Sequence, residues 1–495
     1  MMTGESNAAQ GGLRLKDPSL LRSSAFVNGE WIGADSGATI TVCNPATGGV
    51  VGTVPQMGAP EARRAIEAAG VALASWRRTL AKERGRLLRK WFDLIIENAD
   101  DLALIMTWEQ GKPLAEAKGE VVSGAAFIEW FAEEARRTYG ETIPTPAHDR
   151  RIVVIKQPIG VCVAITPWNF PNTIITRKVA AALAAGCTMV VRPASTTPYS
   201  ALALAELADR AGIPGGVFSV VTGGSREIGA EFTSNPIVRK LSFTGSTQVG
   251  RALMQQCAGT IKKLALELGG NAPFIVFEDA DIDAAVTGAI GSKFRNAGQA
   301  CVGTNRFYIH DSVYDAFVSK FLAEVDKLKI GNGTEPGVTF GPVHDMGGVR
   351  KTEEHIADAL EKGARLLAGG KRHALGGTFF EPTVVGEATA EMKVACEETF
   401  GPLAAIFRFH NEEELIRAAN NTEFGLASYF YSRDIGRIWR VAEALETGMV
   451  GVNIGLMANE AVPFGGIKES GIGREGSHYG IDDYMEVKYI CMAGV

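Results

Sequence analysis

The stretch "FRNAGQACVGTNR", residues 294–306, places a single cysteine where it could act as a nucleophile. A cysteine that is only structural usually lies among apolar core residues and is inert, whereas a reactive one is more accessible. The neighbours of Cys301 are Gln299, Ala300, Val302 and Gly303. Glycine, alanine and polar residues of this kind are typical of a loop that a ligand can approach closely. We therefore predict that the Cys301 thiol reacts covalently with a substrate.

Two further motifs could support such a thiol. In "LELGG", Glu267 precedes two glycines that allow close backbone approach. Partial burial would raise its pKa and suit it to general-base catalysis, although a glutamate at a helix end is the alternative. In "TPWNFP", Asn169 lies in a turn stiffened by prolines. A rigid amide can stabilise an oxyanion, and an ordinary capping or turn asparagine is the alternative.

Three motifs could hold an oxidising cofactor. "SFTGSTQVG" reads as a strand followed by a helix, and its glycines at 245 and 250 follow neither the GxGxxG nor the Walker A pattern. Such a turn can place a phosphate at the helix N-terminus, or it can be an ordinary strand-to-helix turn. In "CEETFGP", the carboxylate of Glu398 could accept from a ribose diol and Phe400 could pack on a nicotinamide, or the motif could be an acidic helix start.

The third cofactor motif is "VVRPAS", which also ends a predicted strand. Ligands of open α/β sheets bind at this carboxyl edge, where a carboxylate usually holds the ribose of NAD. The small Ser195 removes the repulsion that a carboxylate would exert on a 2′-phosphate. Arg192 can bind phosphate in a bidentate manner. The alternative is a surface arginine beside a turn proline.

Composition narrows the class of protein. The chain has 495 residues, 46% of them hydrophobic and 21% charged, with a net charge of −6, which predicts a globular enzyme of two or three domains without nucleic-acid or membrane partners. Its seven cysteines are scattered, without a CxxC pair or nearby histidines, so we expect a reducing compartment and no metal site. The first residues contain no apolar segment typical of a secretory signal. We expect residues 1–22 to be a disordered tail and the location to be cytoplasmic, with a mitochondrial transit peptide as the weaker alternative.

The pattern of elements predicts an α/β fold. Residues 60–140 are mostly helical in pattern, and "RRIVVIKQPIGVCVAI" reads as strands. From about residue 171, short apolar runs alternate with helices of about ten residues, which indicates βαβ units and a parallel sheet. A second alternation runs from "NAPFIVFEDAD" to about residue 464, and "GIDDYMEVKYICMAGV" reads as a final strand.

Taken in order, "TPWNFP", "SFTGSTQVG", "LELGG", "GQACVGTNR", "EETFGP" and "PFGGIKESGIGREG" resemble the aldehyde dehydrogenase superfamily. The resemblance runs from about residue 26 to the C-terminus. It is greatest to the succinate-semialdehyde dehydrogenase branch, through stretches such as "ELGGNAPFIVFEDADID" and "REGSHYGIDDYMEVKYIC". This implies NAD(P)-dependent oxidation of succinic semialdehyde to succinate through a thiohemiacetal and a thioester on Cys301. It also implies Glu267 as general base and Asn169 as oxyanion donor.

The resemblance further implies where the ligands bind. Arg177 and Arg295 would hold the substrate carboxylate beside Phe464. The cofactor, NADP in preference to NAD, would contact Thr166, Pro167, Trp168, Arg192, Ser195, Gly245, Ser246, Gly269, Glu398 and Phe400.

The resemblance implies a three-part architecture. A Rossmann-like cofactor domain would comprise residues 23–140 and 160–270, and a second α/β catalytic domain residues 271–470. A small β oligomerisation element would combine residues 141–159 and 471–495 and build a homodimer or homotetramer.

Three positions depart from the family pattern. Arg192 replaces the usual lysine, which leaves the choice between NADP and NAD open. Gly303 stands where some relatives have a second cysteine, so a disulfide switch within the loop is excluded. Ala458 stands where a serine often helps to bind the carboxylate. Loss of that hydrogen bond, worth about 1.5–3 kcal/mol when it is made to a charged group, would weaken or broaden selectivity for succinic semialdehyde.

Other functions stay open at this point. The chain could be a dehydrogenase for glutaric semialdehyde or another short aldehyde. Glutaric semialdehyde has one methylene more than succinic semialdehyde, and one methylene is worth only about 1–3 kcal/mol of discrimination. A non-catalytic structural member of the fold would be expected to lack Cys301 or Glu267, and both are present. A Cys-His hydrolase would need a histidine partner, and none of the seven histidines lies in a motif that suggests one.

Overall fold

The computed structural model describes residues 13–494. Its helices are α1 (Ala59–Trp76), α2 (Ala81–Glu97), α3 (Ala99–Gln110), α4 (Leu114–Glu134), α5 (Thr173–Ala185), α6 (Pro198–Ala211), α7 (Ser225–Ser234), α8 (Thr247–Cys257), α9 (Ile282–Phe294), α10 (Tyr314–Val325), α11 (Met346–Glu361), α12 (Lys393–Cys396), α13 (Glu412–Asn420), α14 (Ile435–Ala444) and α15 (Ser477–Asp482). Within the described residues, no helix is both long enough and apolar enough to cross a bilayer.

The strands are β1 (Ala25–Val27), β2 (Glu30–Ile32), β3 (Thr39–Cys43), β4 (Val50–Pro55), β5 (Glu141–Ile143), β6 (Arg150–Pro158), β7 (Val161–Ile165), β8 (Thr188–Arg192), β9 (Phe218–Val220), β10 (Val238–Thr244), β11 (Lys263–Glu267), β12 (Ala272–Val276), β13 (Thr304–His310), β14 (Arg365–Ala368), β15 (Thr383–Gly386), β16 (Leu403–Phe409), β17 (Ala427–Tyr431), β18 (Met449–Val452), β19 (Gly471–Ile472) and β20 (Met485–Ala493). They form two large sheets, a three-stranded sheet and the β3–β4 pair.

The first large sheet has the order β19-β11-β10-β7-β8-β9-β1-β2. Its central strands β11, β10, β7, β8 and β9 are parallel. The sequences of β7 and β8, "VCVAI" and "TMVVR", are buried throughout, as expected of parallel strands covered on both faces. The α/β class with a parallel sheet, predicted from the alternating pattern, is confirmed.

The second large sheet has the order β14-β15-β16-β13-β12-β17-β18 and is parallel except for β14. Separate apolar clusters cover its two faces. The candidate site lies where the two large sheets meet. Glu267 ends β11 of the first sheet, and Cys301 precedes β13 of the second.

The small sheet contains the two strands that the sequence predicted to pair. β6 and β20 are antiparallel along nine residue pairs, from Arg150–Ala493 to Pro158–Met485, and β5 pairs with the other edge of β6. After its first residue, β20 is exposed throughout, and no described strand pairs with its second edge.

Two segments differ from the sequence expectations. Of the expected disordered tail, residues 1–12 lie outside the described part, but residues 13–22 pack against the body: Leu20 is fully buried and Asp17 pairs with Arg210 at 2.6 Å. The final strand, predicted over residues 480–495, begins only at Met485 as β20. Residues 471–472 join the first large sheet as β19, and residues 477–482 form α15 before β20 begins.

Candidate active site

The loop that carries Cys301 has an unusual backbone. It follows α9, and its residues Asn296 and Ala297 both adopt left-handed conformations, with φ of 52° and 54°. Such conformations persist in non-glycine residues only when the surroundings enforce them. Here the Asn296 side chain donates to the carbonyls of Asn169 (3.0 Å) and Gln299 (3.2 Å) and accepts from Gln110 (2.9 Å). These contacts fix the loop and leave Cys301 half-buried.

Cys301 lines a cavity of about 280 Å³ together with the predicted substrate residues. Burial raises the pKa of its thiol to about 12, while the guanidinium of Arg177 acts to lower it. The cavity wall consists of Lys112, Glu116, Gly119, Glu120, Ser123, Phe127, Phe170, Thr173, Ile174, Arg177, Arg295, Cys301, Val302, Ala458 and Phe464. No histidine belongs to this described lining, which removes the partner that a Cys-His hydrolase needs.

Asn169 lies beside the cysteine loop. It follows β7, and its side-chain Nδ2 donates to the carbonyl of Gln299 at 3.2 Å. Its backbone carbonyl accepts from Lys112 Nζ at 2.7 Å, and Lys112 forms a buried ion pair with Glu120. Glu120 also accepts from the backbone N–H of Asn172 at 2.9 Å. This pair ties the Asn169 turn to α4, and sequence reasoning missed it because Lys112 and Glu120 lie in an ordinary amphipathic pattern.

Glu267 has the environment predicted for a base. It is 3% exposed, and its Oε2 has no hydrogen-bond partner among the described residues. Burial raises its pKa well above the usual value, and the negative charge of Glu475 raises it further. Arg177 and Lys178 act in the opposite direction. An unpartnered buried carboxylate of this kind is suited to accept a proton.

Glu475 is a second feature that the sequence did not reveal. Its carboxylate pairs with Arg177 Nε at 2.5 Å and with the fully buried Lys178. Burial acts to raise the pKa of Glu475, but Arg177 and Lys178 outweigh it and leave that pKa lowered. Its backbone pairs with Phe464 through two hydrogen bonds of 2.8 Å. Glu475 therefore joins the environment of Glu267 to the cavity wall.

The two predicted substrate arginines each lie on an aromatic ring. The guanidinium carbon of Arg177 is 4.2 Å from the Phe464 ring centroid. That of Arg295 is 4.7 Å from the Phe170 centroid. The positive charge of Arg177 is compensated by Glu475. Arg295, by contrast, has no carboxylate within 4.0 Å among residues 13–494. Both line the cavity that holds Cys301.

At the edge of the first sheet, Arg192 and Ser195 lie together. Arg192 donates to Ser195 Oγ at 2.7 Å and to the carbonyl of Gly223 at 2.9 Å. The Nε of Arg192 is buried without a described partner, and burial lowers its pKa to about 10. The backbone N–H of Thr166 donates to the carbonyl of Arg192 at 3.1 Å, which joins two predicted cofactor positions.

Glu398 and Gly269 face each other. Glu398 accepts from the backbone N–H of Gly270 at 3.1 Å. A Cβ at Gly269 would lie 3.1 Å from Glu398 Oε2 and 3.0 Å from Phe424, so only glycine leaves this space open. Burial raises the pKa of Glu398 to about 7.

Phe400 belongs to an aromatic group with Trp168. Phe400 has a left-handed backbone, with φ of 53°, and its ring meets Trp168 edge-on at 5.7 Å. Trp168 follows Pro167 and stacks on His344 at 4.2 Å. His344 bonds to Thr196 at 2.9 Å. Sequence reasoning found Trp168 and Phe400 but not His344, because an isolated histidine carries no local motif.

The predicted phosphate turn lies next to the base. Ser246 is the N-cap of α8, and its side chain accepts from Val249 N–H at 3.4 Å. The N–H of Gly245 donates to the Glu267 carbonyl at 3.0 Å. Thus one turn connects the helix N-terminus to the strand that carries Glu267. Among the described residues, no three His, Cys, Asp or Glu side chains are grouped so that they could hold a metal ion.

The two-sheet α/β fold brings a cysteine, a buried carboxylate and an amide together, as in enzymes that use a thiol nucleophile. The chain belongs to the aldehyde dehydrogenase family, whose model matches residues 31–490.

Individual relatives are similar over nearly their whole length. A glutarate-semialdehyde dehydrogenase of Pseudomonas aeruginosa is 65% identical over 98% of this chain and 100% of its own. An NADP⁺ succinate-semialdehyde dehydrogenase of Escherichia coli is 62% identical over 97% of this chain and 100% of its own. The crystal structure of a succinate-semialdehyde dehydrogenase from Burkholderia pseudomallei, 67% identical, superposes with a TM-score of 0.96 over 97% of this chain and 99% of that one.

Proposed function

We propose that this enzyme oxidises short aldehydes that carry a terminal acid group, with succinic semialdehyde as the preferred substrate and NADP⁺ as the hydride acceptor. The observation that carries the proposal is the cavity wall, which contains Cys301 together with Arg177 and Arg295. Two guanidinium groups suit a carboxylate. A neutral aldehyde would leave both cations without a partner in the substrate, which is costly when the site closes around it.

In the proposed reaction, the Cys301 thiol, whose pKa burial raises to about 12, first gives its proton to solvent, and the sulfur then forms a bond with the aldehyde carbon. The negative charge then moves to the former carbonyl oxygen. The Asn169 side-chain amide and the backbone N–H of Cys301 would donate to that oxygen, which lowers the barrier because the donors are already fixed. Asn169 is held by Gln299 and by the Lys112 contact to its carbonyl.

Glu267 acts in the second half of the reaction. Bound NADP⁺, which Trp168, Glu398 and Phe400 would help to hold, would supply the hydride acceptor for oxidation of the thiohemiacetal on Cys301 to a thioester. The Glu267 carboxylate then takes a proton from water, and the resulting hydroxide attacks the thioester carbon. The carbon–sulfur bond breaks, the acid leaves, and the Cys301 sulfur returns as thiolate. The unpartnered Oε2 of Glu267 is the oxygen that would accept this proton.

The proposed cofactor residues fit a dinucleotide. The Glu398 carboxylate can accept from the hydroxyls of a ribose, and glycine at position 269 adds no side chain beside that carboxylate. The capped N-terminus of α8 at Ser246 suits a phosphate. Ser195 brings no negative charge, and the buried Nε of Arg192 lacks a described partner, so this edge tolerates a 2′-phosphate. NAD⁺ remains the second cofactor in the proposal.

Glutaric semialdehyde is the second candidate substrate. It is favoured by the glutarate-semialdehyde dehydrogenase relative and by Ala458, whose methyl group provides no hydrogen bond at the cavity wall. One methylene changes transition-state binding by only about 1–3 kcal/mol, so both acids are substrates in the proposal and differ in rate.

We also propose how the chain is divided and assembled. Residues 23–140 and 160–270 would form the cofactor domain, residues 271–470 the catalytic domain, and the small sheet an oligomerisation element. The unpaired edge of β20, with exposed Val487 and Tyr489, supports a homodimer or homotetramer, because such edges are usually covered. A cytoplasmic location is part of the same proposal.

The test is to measure kcat/KM for succinic semialdehyde, glutaric semialdehyde and butanal, each with NADP⁺ and with NAD⁺. We expect a preference of at least about 30-fold for succinic semialdehyde over butanal, because leaving a buried charge without its partner costs about 2–5 kcal/mol and 2 kcal/mol corresponds to about 30-fold. The Cys301→Ala variant is the control and should have no dehydrogenase turnover. Equal rates for the three aldehydes, or turnover by Cys301→Ala, would refute the proposal.

A further inference from the structure

A loop between β18 and Phe464 brings Ala458 to the cavity wall. It comprises residues 453–463, and Ala458 is its only residue among those that line the cavity. The position of this loop therefore decides how far the wall lies from Cys301. Ala458 itself is exposed on the loop, so the loop must be held by its other residues.

The closest of these contacts is between two glycine backbones. Gly455 of the loop rests on Gly288 of α9, so that a Cβ at Gly455 would overlap the Gly288 carbonyl oxygen and lie 2.6 Å from its carbonyl carbon. From the other side, a Cβ at Gly288 would overlap the Tyr431 hydroxyl and lie 3.2 Å from Gly455 N. Neither glycine has a positive φ. Glycine is needed here for space and not for backbone conformation.

The ends of the loop are fixed separately. Asn453 has a left-handed backbone, with φ of 55°. Its side chain donates to the Ser432 carbonyl at 3.0 Å and accepts from the Ser432 N–H at 3.1 Å. At the far end, the Glu460 carbonyl accepts from Ser477 N–H at 2.7 Å. Because both ends are held, the Gly455–Gly288 contact determines how far the segment between them lies from α9.

We infer that the Gly288–Gly455 contact helps to determine substrate specificity. It holds Ala458 at a position in the cavity that suits a four-carbon chain with a terminal acid group. The inference rests on the proposed function. Both glycines are positioning residues, since they act on the substrate through Ala458. A side chain at Gly455 overlaps the α9 backbone, so it lifts the loop, lengthens the cavity and favours the five-carbon semialdehyde. A side chain at Gly288 crowds the loop less closely and also displaces the Tyr431 hydroxyl, and it favours the five-carbon semialdehyde in the same direction.

The experiment compares Gly455→Ala with a matched substitution, Gly291→Ala. Gly291 lies in the same helix as Gly288, one turn further on, and a Cβ there meets only Leu456 at 3.6 Å, an ordinary contact. Gly288→Ala is the second test variant. It shares with Gly291→Ala the replacement of glycine inside α9, and therefore the same gain in helix propensity.

In Gly455→Ala and in Gly288→Ala, kcat/KM for glutaric relative to succinic semialdehyde should rise at least about threefold, a modest part of the 10–200-fold that a methylene can carry. The change should be in KM for succinic semialdehyde, with kcat within about twofold. Butanal, which has the same four carbons but no acid group to place against Ala458, should change by less than about twofold, and Gly291→Ala should match the parent enzyme. Circular dichroism identifies the variants that fold.

An unchanged ratio in whichever glycine variant folds would overturn the inference, as would an equal change in Gly291→Ala. Failure of the proposed function has a different signature. In that case the parent enzyme itself would not distinguish the semialdehydes from butanal.

Discussion

Arg295 offers the cleanest test of how the enzyme would hold its substrate. Arg177 is a poor choice, because its removal would leave Glu475 with Lys178 alone and disturb the surroundings of Glu267. Arg295 has no carboxylate within 4.0 Å among the described residues and lies half-buried on the Phe170 ring. The substitution Arg295→Met keeps an apolar chain against that ring and removes only the charge.

The magnitude follows from the environment of Arg295. Removing one partner of a buried, hydrogen-bonded charge pair costs about 2–5 kcal/mol. Because Arg295 is half-buried and Arg177 remains, we take about 3 kcal/mol, which corresponds to an approximately 150-fold loss of kcat/KM for succinic semialdehyde. Butanal has no carboxylate to lose, so its kcat/KM should stay within about threefold.

The assay is the initial rate of NADPH formation over a range of each aldehyde, with thermal unfolding as a check on the fold. The decisive quantity is the ratio of the two kcat/KM values, since a general loss of activity cancels in it. An equal loss for succinic semialdehyde and butanal would refute the reasoning, because Arg295 would then support the reaction or the fold and not the grip on the acid group.

Three further predictions concern the same cavity. Ala458→Ser should lower KM for succinic semialdehyde about tenfold. This corresponds to the low end of the free energy of a hydrogen bond to a charged group, which we use because the position is exposed. An unchanged KM would place the acid group elsewhere. Glu267 must be ionised to act as base, so the acid limb of the pH–kcat profile follows its pKa. Glu475→Gln removes a charge that raises this pKa and should move the limb to lower pH. Lys178→Met removes a charge that lowers this pKa and should move the limb to higher pH. Shifts of the same sign would contradict this. Phe170→Leu should raise KM for succinic semialdehyde about two- to fivefold through loss of cation–π contacts, and a matching change for butanal would count against that cause.

Much of the candidate site could be predicted because its residues lie in local motifs. Cys301, Glu267 and Asn169 each stand in a short segment with glycines, prolines or aromatic residues that limit the backbone. The alternating strand and helix pattern also predicted the first parallel sheet, whose strands β11 and β7 lead to Glu267 and Asn169. The structure brings all three around one region, and their catalytic roles remain predictions.

The charged partners behind the site could not be predicted, for a physical reason. A lysine and a glutamate eight residues apart in a helical region read the same whether they form a surface pair or the buried Lys112–Glu120 pair. Nor does spacing show that Glu475 lies against residues almost 300 positions earlier. Only the paths of the strands between them decide which charges meet.

The packing of residues 13–22 escaped prediction for a similar reason. The leucines of residues 13–22 form no regular repeat that would reveal a helix or a strand. In the structure, Leu13 and Leu20 are buried, Asp101 accepts from the backbone N–H groups of Lys16 and Asp17, and Asp17 pairs with Arg210. Whether this stretch is ordered therefore depends on surfaces formed elsewhere in the chain, one of them by a helix nearly 200 residues further on.

The position of Glu475 couples two tasks that the sequence presents as separate. Its negative charge holds Arg177 at the cavity wall and at the same time raises the pKa of Glu267. Arg177 in turn lowers both the Glu267 and the Cys301 pKa. A substrate carboxylate that binds Arg177 adds a negative charge to this group, so it weakens the effect of the arginine on both residues. In the proposed reaction, the acid group of the substrate would therefore influence the pKa of Glu267 and of Cys301 as well as the affinity, since all of them would share one guanidinium.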